Sequence, residues 1–141
     1  MSLYFFLNIA SFLIPFLYSF ESRMRYINRW KAVFSAIIIT AILFIIWDII
    51  FTKTGVWSFN SRYHSGIEFF DLPIEEWLFF ICIPYASIFI HFAFHYFYPN
   101  VSLTDKTVKN IYWIIMVVLL PTIFIHYDKL YTAINYSFLV L

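Results

Sequence analysis

Charge and glycine are both scarce in this sequence, and each shortage narrows what the chain can be. Only 12% of its 141 residues are charged, about half of the roughly 25% usual in a soluble domain. A chain so poor in charge lacks the polar surface needed to face water. Its two glycines, Gly55 and Gly66, cannot build a GxGxxG turn or a Walker loop. No GxSxG elbow occurs, and there is no aspartate-rich pair of the kind that holds a diphosphate through magnesium. A single cysteine, Cys82, lies within an apolar run, so it forms no intrachain disulfide and reads as packing. A net charge of +1 gives no electrostatic case for nucleic acid.

What the chain does have is apolar length: 63% of it is hydrophobic and 25% aromatic. Four runs hold most of this, Leu3 to Phe20, Ala32 to Phe51, Trp77 to Tyr98 and Ile111 to Tyr127. Each approaches or exceeds the roughly 17 to 25 residues that cross a bilayer as a helix. Helices are the expected form, since a strand edge in lipid would leave backbone amides unpaired. The fold class expected is therefore all-α, a polytopic transmembrane bundle of three to four spans. The first run lacks a basic leader and a small-residue cleavage pattern, so it reads as a retained span. Tyr131 to Leu141 is apolar but too short to span, and reads as an interfacial tail or the start of a fifth helix.

Basic residues gather between the first two runs, where Arg23, Arg25, Arg29 and Lys31 face only Glu21, and between the last two, where Lys106 and Lys109 face Asp105. The loop between the second and third carries Lys53 and Arg62 against Glu68, Asp71, Glu75 and Glu76. Positive loops stay on the cytoplasmic side, which puts the N-terminus and this second loop outside. That loop also holds Trp57, Phe59, Tyr63, Phe69 and Phe70. It reads as an aromatic girdle at the membrane interface or as a lid over a greasy pocket.

Ionisable residues inside spans are costly and mark candidate sites. Asp48 lies near the outer end of the second run, where it could also reach headgroups or pair with Lys53. Glu75 and Glu76 open the third, after Pro73, a residue favoured at a helix start. One glutamate suits a cap or the helix dipole; a second, followed at once by Trp77 and Leu78, is less well explained. Adjacent helical residues point roughly 100° apart, so one carboxylate can cap while the other faces the bundle. Three carboxylates at one depth, ringed by aromatics, make a candidate acid/base site. His91 and His95 lie one turn apart and His126 sits on the fourth run, a spacing open to metal or haem. Their depths, about 20 Å and 10 Å from the outer face, argue against a shared ligand, so no metal is expected.

In order, Trp47-Asp48, Gly55-Val56-Trp57-Ser58-Phe59-Asn60, Arg62-Tyr63, Gly66, Leu72-Pro73-Ile74-Glu75-Glu76, Phe79-Phe80 and Pro84-Tyr85 resemble the lycopene cyclase domain of carotenoid biosynthesis, over about residues 1 to 98. This is the small all-transmembrane type. The resemblance implies an isomerase, or intramolecular lyase, that closes rings on the acyclic ends of a C40 carotenoid with no net redox change; the sequence itself points to no cofactor. It implies Glu75 or Glu76 as proton donor, with the other or Asp48 as base. Trp57, Phe59, Phe79, Phe80 and Tyr85 would bind substrate, their ring faces shielding a carbocation. Family members join two related units of about three spans, fused or as partner subunits, each with its own proline-x-glutamate-acid motif. Here residues 1–98 read as a first unit and 99–141 as the start of a second. Pro84, Pro99 and Pro121 are not followed by such acids, so a second unit is the partner the resemblance implies. The expected setting is the cell's inner (plasma) membrane.

Overall fold

The computed structural model describes residues 2–140, and among them five α-helices and one small hairpin. Contacts divide the chain into two units, Met1–Pro99 and Asn100–Leu141. Helix α1, Leu3–Tyr18, is started by Ser2, whose hydroxyl accepts the Phe5 N–H. Its 16 residues rise only about 24 Å, so the first apolar run forms a helix shorter than a full span rather than the span expected. The chain leaves it through Glu21, whose carboxylate accepts the N–H groups of Arg23 and Met24. Arg25 then takes a left-handed conformation at φ 47°.

A 3₁₀ turn, Tyr26–Arg29, leads into α2, Trp30–Lys53. No glycine or proline interrupts α2, so its 24 residues rise about 36 Å. Val33, Ile37, Ala41, Asp48 and Phe51 are its buried residues, spaced to form one stripe, while Ile38, Ile39, Ile42 and Leu43 point outward. A helix apolar on both its packed and its open face suits lipid rather than water. Helix α3, Ile74–Phe97, carries Pro84 within it and packs against both α1 and α2. Three stretches are long and apolar enough to cross a membrane: Tyr26–Lys53, Ile74–Phe97 and Asp105–Ile125.

Between α2 and α3 the chain forms a feature absent from the sequence reading. Strand β1, Glu68–Phe69, pairs antiparallel with β2, Leu72–Pro73, with Glu68 opposite Pro73 and Phe69 opposite Leu72. The two turn residues, Phe70 and Asp71, have φ of 54° and 66°. Two consecutive positive φ values give the twist that two-residue hairpins require.

The first unit's core lies at the basic end of the helices. Tyr26, Tyr85 and Ile37 are buried there with Met24, Val33 and Phe89, and Phe12, Phe16, Trp30 and Phe34 pack around them. In the second unit, α4 runs over Asp105–Ile125 from a Thr104 cap and has no buried residue. It starts six residues before the apolar run does. The terminal segment is α5, Leu130–Val140, which packs on α4.

Candidate functional site

The site begins where β2 gives way to α3. Pro73 is the N-cap residue, in extended conformation, so it precedes the helix instead of filling its first position. Glu75 and Glu76 follow in the first turn, and the roughly 100° between them separates their surroundings completely. Glu75 is 1% exposed. Its Oε1 accepts the Ser2 hydroxyl at 2.6 Å and the Ser65 N–H at 2.7 Å. Its backbone carbonyl accepts the Asn8 amide at 2.8 Å. The carboxylate meets its own backbone N–H in the first turn of α3, and it also clasps the start of α1 and the interhelical loop to α3. Its Oε2 is buried and has no hydrogen-bond partner among the described residues.

Glu76 has the opposite environment. Among the described residues no donor lies within hydrogen-bond distance of its carboxylate, and it stands within Coulombic reach of both Asp48 and Glu75. Asp48 is 5% exposed on the buried stripe of α2. The Trp57 indole N–H donates to Thr52 Oγ1 at 3.2 Å and also reaches the Asp48 carboxylate. Lys53, considered as a partner for Asp48, pairs at 3.7 Å with exposed Asp71 instead. None of the three carboxylates makes an ion pair among the described residues.

The aromatic residues expected to bind substrate are divided by the structure. Trp57 meets Phe51 edge to face and stands beside Asp48. Phe80, one helical turn beyond Glu76, stacks on Phe44 of α2 and is half-buried, while Phe79 meets it edge-on and is exposed. Phe59 is half-buried in the loop. Tyr85 lies elsewhere. Nine residues beyond Glu76, about 14 Å along the helix, it is fully buried in the core. Its hydroxyl takes the Trp30 indole N–H at 3.0 Å and meets Ser19 Oγ at 2.6 Å, and Ser19 in turn reaches the Pro15 carbonyl. With Ser19 giving its one proton to Pro15, the Tyr85 hydroxyl donates to Ser19, and a one-way chain pins α2, α3 and α1 together.

Ser2, Asn8 and Ser65 were not legible as site residues, since 67 and 73 positions separate Asn8 and Ser2 from Glu75. His64 is a further addition: its side chain is 4% exposed, Nδ1 accepts the Gly66 N–H, and Nε2 lies 3.9 Å from Glu68. His91 and His95 meet edge to face at 4.6 Å on an exposed face of α3. Among the described residues no group of three metal-ligating side chains forms.

A short helix and two long apolar helices thus meet near three carboxyl groups, where the interhelical loop enters α3. The sequence pattern of the lycopene cyclase family matches residues 1–94, and the chain belongs to that family. No curated protein and no solved structure shows significant similarity to it. Family membership and the three long apolar helices make this a membrane protein of carotenoid biosynthesis.

Proposed function

We propose that this chain supplies the acid/base site of a carotenoid cyclase that closes six-membered rings on the acyclic ends of a C40 polyene, with Glu76 as the proton donor. The observation that carries the assignment is the contrast between the two adjacent glutamates. Donors converge on Glu75, which is thereby an acceptor and a positioning residue. Glu76 receives none and faces two further carboxyl groups, so of the three it gains least from being an anion.

In this reading the Glu76 O–H proton passes to the terminal double bond of the polyene. The carbon left electron-deficient is attacked by the π electrons of a nearby double bond, which closes the ring by a new C–C bond and moves the positive charge onto the ring. Asp48 removes a neighbouring proton, whose C–H electrons form the ring alkene. One proton enters and one leaves, so the formula is unchanged and no electrons are exchanged with a cofactor. Proton return from Asp48 to Glu76 resets the pair. The faces of Trp57 and Phe80 are the rings best placed beside the carboxylates to stabilise the cation. Tyr85 would act from the core, holding the helices that carry these groups.

The family resemblance supports a second three-span unit as partner, in the same chain or another, with residues 99–141 leading into it. The loop charges support a membrane orientation in which the carboxylates lie toward the outer face of the inner membrane. The test is expression in a lycopene-forming host, alone and beside a second cyclase unit from a family member, with products separated by chromatography. Cyclic product that is lost in E76Q, at unchanged protein level, supports the assignment. Cyclic product that persists in E76Q removes Glu76 as donor. A non-catalytic subunit, the reading that the Glu75 clasp alone would favour, predicts that both E75Q and E76Q leave turnover intact once folded.

A further inference from the structure

The end of the first unit opposite the carboxylates holds a cavity of about 280 Å³ that the cyclisation chemistry does not use. It lies between the α1–α2 connection and the last turns of α3. Met24, Phe89 and Ala93 form an apolar floor, and Tyr18 and Tyr96 border it. One guanidinium group borders it. Arg23 lines it directly and is exposed, with only its backbone N–H hydrogen-bonded among the described residues. Arg29 lies 4.6 Å from the ring centre of Phe92, the neighbour of Ala93. Glu21 also lines the cavity, and its carboxylate, still charged, accepts the N–H groups of Arg23 and Met24. The α1–α2 connection and the start of α2 carry Arg23, Arg25, Arg29 and Lys31 against this one acid, so positive charge prevails above a floor that suits hydrocarbon.

We propose that this cavity binds an anionic phospholipid of the leaflet at the basic face, its phosphate against Arg23 and its upper acyl carbons on Met24, Phe89 and Ala93. Basic pockets between membrane helices take anionic headgroups in this way. Arginine suits the role because its planar fork matches phosphate oxygens and it loses hydration readily. A zwitterionic lipid would bring its own cation to Arg23 and gain less. The lipid would tie the α1–α2 connection to the end of α3, a region the Glu75 clasp does not reach.

The purified full chain in detergent tests this by native mass spectrometry with added phosphatidylglycerol or phosphatidylcholine. Phosphatidylglycerol adducts should survive activation that strips phosphatidylcholine. R23Q should lower phosphatidylglycerol retention about five-fold, the effect of one cation at an anionic surface, and A93W should lower it by filling the floor. R62Q, at the far loop, should leave retention unchanged, and circular dichroism confirms that each variant is folded. Equal retention of the two lipids, or full phosphatidylglycerol retention in folded R23Q and A93W, overturns the proposal. Retention of an added long polyene in place of phosphatidylglycerol would overturn it too, making the cavity a hydrocarbon site.

Discussion

Replacing each adjacent glutamate by glutamine should affect stability very differently, because the structure gives the two carboxyl groups opposite surroundings. In E75Q the Ser2 hydroxyl and Ser65 N–H still find an oxygen, but a neutral one. A hydrogen bond to a charged group contributes about 1.5–3 kcal/mol and one to a neutral group about 0.5–1.5, so two such bonds lose about 2 kcal/mol together. The new NH₂ replaces an oxygen that already has no described partner, which adds a donor without adding a bond. We expect E75Q to be destabilised by about 2–3 kcal/mol. E76Q disrupts no hydrogen bond to a described residue and removes one member of a carboxylate cluster, so its stability should match or exceed that of the parent. Unfolding by denaturing detergent in mixed micelles, followed by circular dichroism, measures both. S2A removes both the bond to the charged Glu75 and the α1 cap, so it should cost about 2–4 kcal/mol, and S2A with E75Q should cost less than the sum, because the two share a bond. Equal stability losses in E75Q and E76Q, or none in E75Q, would refute the reasoning from geometry.

Other consequences can be measured in the same way. Y85F leaves the Trp30 N–H without its acceptor and ends the chain to Ser19, so it should cost about 1–3 kcal/mol. Its turnover per folded molecule should be unchanged, read as cyclic product against protein level. I37A empties a site only 2% exposed and should cost about 2–4 kcal/mol in the same unfolding assay. D71G should be neutral or stabilising by up to about 1 kcal/mol, since glycine adopts the positive φ freely, and the exposed pairing of Asp71 with Lys53 is worth little.

The helices were legible in the sequence because lipid demands long apolar segments, and length is a property that a sequence states directly. The second and third runs appear as α2 and α3, and Asp48, Glu75 and Glu76 were conspicuous as charges in apolar company. The first run misled because composition does not report where a helix stops. The local bonds of Ser19 and Glu21 end α1 at Tyr18. The hairpin was missed because Phe70-Asp71 lacks the glycine or asparagine that announces a tight turn. What distinguishes Glu75 from Glu76 was invisible for a different reason. The distinction comes from Ser2, Asn8 and Ser65, which reach Glu75 only through folding, and no local pattern encodes Ser2 or Asn8, partners more than sixty positions away. Tyr85 belonged to the family pattern, but its burial in the hydrogen-bonded core is a matter of tertiary packing.

The central position of α3 has a consequence for how the protein is made. Helix α1 packs chiefly on α3, and its first residues are tied to Glu75. During synthesis, then, α1 is made well before α3 and must wait, without its main neighbour, until α3 has left the ribosome. A short apolar helix left in that state can drift or be cleared, so the rate at which α3 is delivered would govern the yield of assembled protein.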